Sequence, residues 1–127
     1  MRSDDPEIRV LHVSPSGPPI TTSDDTSDLI GSAWAEQASV VAIPVARLDP
    51  EFFDLSSRVA GEITQKFVNY RLNLAIVGDI RDRVEASDAL RDFVWESNRG
   101  TQVWFVPDDA ALRERLNRVP SIGRPTG

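Results

Sequence analysis

The sequence from residue 40 to residue 77 is VVAIPVARLDPEFFDLSSRVAGEITQKFVNYRLNLAIV, and a short apolar run stands at each of its ends. Residues 40–45 are continuously apolar and rich in β-branched side chains, which is typical of a strand that helices cover on both faces. The run 74–77 has the same character. Between the two runs, apolar residues recur every four positions and predict a long amphipathic helix over 55–71. These residues are Leu55, Val59, Ile63 and Phe67.

The alternation of strands and helices continues upstream of residue 40. Residues 7–13 alternate charged and apolar side chains, which predicts a half-buried strand near a sheet edge. A proline-rich turn follows, and Ile20 is expected to begin a short strand that returns antiparallel to the first. The next helix has an apolar stripe that consists of Leu29, Ile30, Ala33 and Trp34.

Downstream of residue 77, the pattern predicts two more helices and one more buried strand. A third helix runs from about Ser87 to Asn98 and is closed by Gly100 as a left-handed cap. The apolar run 102–106 is the strand. The last helix follows Pro107 directly.

These elements predict a single α/β domain over residues 1–127, with a core over about 7–118 and a loose tail over 119–127. Strands that alternate with helices form mainly parallel sheets with right-handed crossovers. We therefore expect a mostly parallel sheet of four or five strands, with an antiparallel hairpin at the N-terminus and four helices.

The composition excludes several classes of protein. The chain has no cysteine, which excludes disulfides, thiolate zinc sites and thiol nucleophiles. Its 14 basic and 20 acidic residues give a net charge of −6, which argues against binding to nucleic acid or to an anionic membrane. No apolar run approaches the roughly 20 residues of a membrane span, and the N-terminus lacks the features of a signal peptide. We expect a cytoplasmic protein.

Nucleotide-binding motifs and activated nucleophiles are missing from the sequence. No strand precedes a Gly-x-Gly-x-x-Gly or Walker sequence, and no serine lies in a Gly-x-Ser-x-Gly elbow. The single histidine, His12, lies inside the first strand, where a structural role is the stronger interpretation. We therefore expect no catalytic residue and no cofactor.

Aspartates follow three of the predicted strands, at Asp49, Asp79 and Asp108. They could form a magnesium cluster at the carboxyl edge of a parallel sheet, because hard cations prefer oxygen ligands. An aspartate at a turn from strand to helix is more often a helix cap. We therefore expect caps and no metal site.

Ser56 and Ser57 lie in the predicted first turn of the long helix, after the predicted cap Asp54 and before Arg58. A phosphate there would meet unpaired backbone N–H groups and the positive end of the helix dipole. The alternative interpretation is that two small residues assist the cap. The sequence thus leaves open a phosphorylation site at Ser57 or Ser56.

Further candidates for an interaction or anion-binding site are charged and aromatic residues near the strand ends and on the third helix. Trp95 falls outside the apolar stripe of its helix and is the best candidate for an exposed interface anchor. Lys66 is four residues after Glu62, and an ion pair between these two side chains is an alternative, purely structural role for Lys66. The candidate interaction or anion-binding residues are Arg47, Asp49, Phe52, Phe53, Asp54, Arg58, Lys66, Asp79, Arg81, Trp95 and Arg99.

Two runs of sequence, QKFVNY at 65–70 and ESNRG at 96–100, are specific enough to carry a family resemblance. Over about residues 8–117, the chain resembles a bacterial family of short domains of unknown function, the one numbered forty-one eighty. The resemblance implies no activity.

The order of elements also resembles, more distantly, the STAS domains of anti-sigma-factor antagonists and sulfate transporters. This resemblance implies a STAS-like fold with a phosphorylatable serine at the start of the second helix. Ser56 and Ser57 match that position, although the Asp-Ser-Ser-Gly pattern usual in STAS domains is only echoed by residues 54–58.

Three hypotheses for function follow. The first is a non-catalytic regulatory module that binds an unidentified protein through the start of the long helix, the Phe52–Phe53 turn and the third helix, under control of phosphate on Ser57. The second is a small-molecule or anion-binding protein, or a weak enzyme, that uses Arg47, Arg58, Arg81 and Arg83 at the strand ends. The third is a homodimer that buries Trp95.

Overall fold

The computed structural model describes residues 9–21 and 23–118, and its centre is a sheet of four parallel strands. The strands are β1 (Val10–His12), β2 (Val40–Pro44), β3 (Asn73–Val77) and β4 (Val103–Val106). They lie in chain order across the sheet, and every neighbouring pair is parallel. The α/β class and the mostly parallel sheet are therefore confirmed.

The antiparallel hairpin expected at the N-terminus is wrong. β1 pairs in parallel with β2, with Val10 opposite Val40. Ile20 does not return along β1, but forms a single parallel bridge to Leu48. The reason is that Ile20 N donates to Arg47 O at 2.7 Å, which places Ile20 beside the segment after β2.

The described ranges contain five α-helices: α1 (Ser23–Ala35), α2 (Val59–Asn69), α3 (Arg81–Ala86), α4 (Asp88–Arg99) and α5 (Asp109–Arg118). Three short 3-10 turns connect β2 to α2, at Val45–Arg47, Pro50–Phe53 and Leu55–Ser57. The expectation of four helices missed α3. Its six residues include one large apolar side chain, which is too few to show a helical period.

The long helix begins later than expected. α2 starts at Val59 instead of Leu55, because Arg58 has a left-handed backbone with a φ of 68° that separates α2 from the turn before it. Asp54 caps that 3-10 turn and not α2. Gly100 also differs from the expectation, since its φ of −96° ends α4 in extended backbone and not in a left-handed cap.

Apolar side chains alternate between the two faces of the sheet and build two cores. The larger core packs Val41, Ile43 and Ile76 of the sheet against α1, α2 and α4. The smaller core packs Ala75 and Trp104 against α5. Right-handed crossovers between strands in chain order place the connecting helices on one face, which leaves α5 to cover the other.

Two expectations concern the ends of the chain and membrane spans. The strand start expected at residue 7 and the tail expected over 119–127 lie outside the described residues. Across 9–21 and 23–118, none of the helices combines the length and the apolar character needed to cross a bilayer.

Candidate functional site

Ligands usually bind beyond the carboxyl ends of the strands in parallel α/β sheets, and three aspartates lie there. They are Asp49, Asp79 and Asp108, and each accepts a hydrogen bond from a backbone N–H two or three residues later, at 2.8 to 3.0 Å. Asp49 thereby caps a 3-10 turn and Asp108 caps α5, as the capping interpretation predicts. Asp79 does not cap α3, because the N-cap position of that helix is Ile80. Among the residues that the structure describes, no group of three His, Cys, Asp or Glu side chains is placed to hold a metal ion.

Asp79 also forms a two-point ion pair with Arg81. Arg81 Nη2 lies 2.8 Å from Asp79 Oδ2, and Arg81 Nε lies 3.0 Å from Asp79 Oδ1. These hydrogen bonds lower the pKa of Asp79 from its ordinary value of 3.8 to about 2, and they raise the pKa of Arg81. Both side chains are exposed and border a depression of about 640 Å³ beyond β3 and β4. The positive charge of Arg81 is therefore already compensated.

Arg47 binds a loop of its own chain, and its role as an anion-binding residue stays a prediction. Its Nε donates to Pro18 O at 2.9 Å. Its Nη1 donates to Ser14 O at 2.9 Å and to Ser16 O at 3.2 Å. Gly17 has a φ of 135°, and a Cβ there would lie 2.9 Å from Arg47 Cζ. Arg47 therefore holds a tight glycine-containing loop in place.

Phe52 and Phe53 are core residues, which corrects their placement on a partner surface. Phe52 is fully buried and Phe53 is 6% exposed, and their rings meet edge to face with centroids 5.1 Å apart. The 3-10 turn directs both rings inward, and Phe52 packs near Phe105 of β4. The guanidinium of Arg83 lies 4.5 Å from the centroid of the Phe53 ring, so this arginine is engaged as well.

The two candidate phosphorylation residues differ in accessibility. Ser57 Oγ lies 2.7 Å from both Glu51 O and Asp54 O. It also accepts from Val59 N at 3.2 Å and thus covers the first N–H of α2. Ser57 is half-buried, whereas Ser56 is exposed and donates to Asp54 Oδ1 at 2.6 Å. The start of α2 is therefore closed by the chain itself at Ser57 and reachable from solvent at Ser56.

A groove of about 860 Å³ runs along the solvent-facing side of α2. Leu55 of the preceding turn and Phe93 of α4 contribute apolar walls. Gly61 of α2 also lines the groove, and an added Cβ there would meet nothing within 4 Å. The remaining lining residues are Arg58, Glu62, Gln65, Lys66, Asn69 and Tyr70.

Sequence reasoning placed two residues of this groove, Arg58 and Lys66, among its candidates, and it missed Gly61 and Phe93. The sequence signal that could have indicated the groove is the recurrence of polar or small residues at intervals of three or four along α2. An ordinary solvated helix face has the same pattern, and the signal therefore does not reveal that α4 supplies a second wall.

Three large aromatic side chains are exposed within the described ranges. Trp95 is 60% exposed, as expected, and the Arg99 guanidinium lies 4.5 Å from its ring centroid. Trp34 is 63% exposed, which corrects its assignment to the apolar stripe of α1. The buried neighbour Ala33 faces the core, and one residue turns the helix by about 100°, so Trp34 points away from it. The third exposed aromatic residue is Tyr70.

His12 is exposed at the end of β1, on the sheet face that α5 covers. It borders a depression of about 540 Å³ together with Asp109 and Arg113 of α5. His12 is accessible because α5 packs against β3 and β4 and leaves the end of β1 uncovered. The structural role that the sequence favours for His12 stays a prediction.

A family model described as Domain of unknown function (DUF4180) matches residues 5–116, which is most of the chain. The chain belongs to this family. The family resemblance seen in the sequence is therefore confirmed. Comparisons with curated proteins and with solved structures find no match to this DUF4180 chain, and the likeness to STAS domains stays a prediction.

The two sequence runs that carry the family resemblance hold elements of the DUF4180 fold together. In the first run, Lys66 Nζ donates to Ser27 Oγ at 2.7 Å and connects α2 to α1. In the second run, the side-chain amide of Asn98 binds the backbone of Phe105 and connects α4 to β4. Both runs therefore have structural roles in addition to any binding role.

Proposed function

We propose that this DUF4180 protein is a non-catalytic regulatory module that binds an acidic amphipathic helix of a partner protein in the groove along α2. The observation that carries the proposal is Gly61. Glycine inside a helix costs about 0.5–1 kcal/mol relative to alanine, and a side chain here would meet no atom of the chain within 4 Å. Close approach of a partner backbone gives this glycine a role.

The charges and walls of the groove define the chemistry of the partner. Arg58 and Lys66 outnumber Glu62 on its rim, in a chain whose net charge is −6. Leu55 and Phe93 suit the apolar residues that a helix presents at intervals of three and four. An amphipathic helix with acidic flanks therefore matches both the rim and the walls.

The strand ends favour binding over catalysis. Asp49 caps a 3-10 turn and Asp108 caps α5, and Arg47 and Arg81 are engaged with groups of their own chain. Arg83 lies against the Phe53 ring, so three of the four arginines of the second hypothesis, an anion-binding protein or weak enzyme, already have partners within the chain. A thermal-shift screen with phosphate, nucleotides and divalent ions separates the two hypotheses. The binding module predicts an unchanged melting temperature, and a rise of several degrees favours the alternative.

Serine phosphorylation would act on the basic end of the groove. Ser56 and Ser57 immediately precede Arg58, and a phosphate on either adds nearly two negative charges beside that guanidinium. An acidic partner would then be repelled. Ser56 is the more accessible acceptor, because its side chain is exposed and that of Ser57 is half-buried.

The proposal is tested by capture on immobilised protein followed by quantitative mass spectrometry. The baits are the wild type, Gly61→Leu, which places a bulky side chain in the groove, and Gly31→Leu, which places the same side chain on an exposed position of α1. A partner retained by the wild type and Gly31→Leu, lost by Gly61→Leu and bound through an acidic helix supports the proposal. Identical capture by all three baits contradicts it.

A further inference from the structure

The depression of about 540 Å³ beside His12 lies at the carboxyl ends of β1, β2 and β3, on the sheet face that α5 covers only in part. Its floor is apolar, because Pro44 and Val77 lie opposite each other in register and are half-buried there. Its rim carries His12 of β1 together with Asp109 and Arg113 of α5. We call this depression the α5 cleft.

The charged side chains of the α5 cleft are not engaged within the part of the chain that the structure describes. Asp109 and Arg113 are one helical turn apart, in the order that favours an ion pair, and residues so spaced have Cβ atoms about 5–6 Å apart. Nevertheless, neither of these side chains forms an ion pair or a hydrogen bond there, and neither does that of His12. Arg47 and Arg81, at the other strand ends, are both held by groups of their own chain.

We infer that the α5 cleft binds a free α-amino acid with an apolar side chain. The guanidinium of Arg113 binds the carboxylate of the ligand, since two parallel N–H donors match its two oxygens. The carboxylate of Asp109 accepts hydrogen bonds from the ammonium group of the ligand. The imidazole of His12 is a further hydrogen-bonding group on the same rim.

The two signs of charge on the rim decide the class of ligand. Arg113 repels a metal cation, and Asp109 repels a phosphate or a nucleotide. A zwitterion is different, because each of its charges can lie beside the rim charge of opposite sign. The volume also suits a small molecule, since ligand pockets usually enclose about 300–1,000 Å³.

The floor of the α5 cleft determines which side chain the ligand carries. Ala42 lies opposite His12 in register, and its small side chain leaves space beside the imidazole. Val13, Pro44 and Val77 are half-buried neighbours of this space, and none of them offers a polar side-chain group. An apolar side chain therefore removes apolar surface from water on both sides of the contact, whereas a polar side chain would lose hydrogen bonds to water.

The inference is tested by isothermal titration calorimetry of the full chain with L-leucine and L-phenylalanine. We expect at least one of them to bind with a dissociation constant below about 1 mM. Arg113→Gln and Asp109→Asn should each weaken that binding about tenfold or more, because each removes a hydrogen bond to a charged group. Glu114→Gln is the matched control. It removes a charge from an exposed position of α5 that does not border the cleft, and it should bind like the wild type.

Truncated analogues test the requirement for both charges of the ligand. Isocaproate and hydrocinnamate are leucine and phenylalanine without the ammonium group, and isopentylamine and phenethylamine lack the carboxylate. Each analogue is expected to bind about tenfold more weakly than its parent amino acid, or worse. Inorganic phosphate is expected not to bind.

Three results overturn the inference. The first is that neither amino acid binds at concentrations up to about 10 mM. The second is that Arg113→Gln binds the amino acid as tightly as the wild type does. The third is that an analogue or phosphate binds as tightly as the amino acid. The melting temperature of each variant without ligand confirms that it is folded. The partner-binding proposal fails or succeeds separately, because α2 and α5 pack on opposite faces of the sheet.

Discussion

The side-chain amide of Asn98 binds both backbone groups of Phe105: its Oδ1 accepts from Phe105 N at 2.7 Å, and its Nδ2 donates to Phe105 O at 3.2 Å. β4 is the last strand of the sheet, and an edge strand leaves one row of backbone groups without a neighbouring strand. Asn98 therefore covers this edge and fixes the end of α4 against it.

Replacing Asn98 should destabilise the fold clearly. Asn98→Ala removes two hydrogen bonds from a largely buried edge, and we expect a loss of about 2 kcal/mol in the free energy of unfolding. Asn98→Asp keeps the acceptor for Phe105 N and should lose less. Urea denaturation measures both variants, and a loss below about 0.5 kcal/mol for Asn98→Ala would show that the amide is not a structural link.

Ser57 and Ser56 should respond differently to substitution. Ser57→Ala loses the hydroxyl that bonds to the carbonyls of Glu51 and Asp54 and covers Val59 N, so we expect a loss of about 1–2 kcal/mol in stability. Ser56→Ala loses one exposed hydrogen bond and should stay within about 0.5 kcal/mol of the wild type. Equal effects in chemical denaturation would contradict the assigned roles.

Three glycines provide a stability test with opposite signs. Gly31→Ala and Gly61→Ala should each stabilise the monomer by about 0.5–1 kcal/mol, because both lie in helices with open space around an added Cβ. Gly78→Ala should destabilise it, because the φ of Gly78 is 148° and a Cβ would lie 2.6 Å from Val45 Cγ2. Thermal and urea denaturation at low protein concentration check all three, and a destabilising Gly61→Ala would show that this glycine serves the fold.

The ion pair between Asp79 and Arg81 predicts a carboxyl titration. The folded-state pKa of Asp79 is about 2, below its ordinary value of 3.8. The ionised Asp79 carboxylate therefore stabilises the folded state fully when the pH is above about 3.8, and this stabilisation is lost as the pH falls through about 2. Arg81→Gln should return the pKa toward 3.8, and Arg83→Gln should leave it unchanged. Carbon-13 NMR of the carboxyl group measures each value, and a wild-type pKa already near 3.8 contradicts the pairing.

The parallel sheet could be predicted from the sequence because its strands are apolar runs separated by helical periods. Residues 40–43 and Val103–Val106 are buried on both faces, and that burial gives the continuous apolar signal. The route of the chain between Val13 and Ile20 could not be predicted. It depends on Arg47, which is distant in sequence and holds the loop by side-chain hydrogen bonds.

The candidate site was less predictable for a related reason. The sequence alone indicates Ser56, Ser57 and Arg58 as candidates. It does not reveal that Arg58 has a left-handed backbone, which shortens α2, because residues 54–60 include no glycine or asparagine that would predict this conformation. The burial of Phe52 depends on the winding of a 3-10 turn, and the exposure of Trp34 depends on one step of helix rotation beside Ala33. Such differences of one residue are decided by tertiary packing and not by periodicity.

An NMR titration of the nitrogen-15-labelled chain with a captured partner tests the central claim most directly. We predict that backbone amide signals of Arg58, Gly61 and Gln65 on α2 and of Phe93 on α4 shift or broaden on binding, and that Gly61→Leu abolishes these changes. Perturbations confined to the strand ends around Asp79 and Asp108, with the α2 signals unchanged, would contradict the claim that the groove along α2 is the binding site.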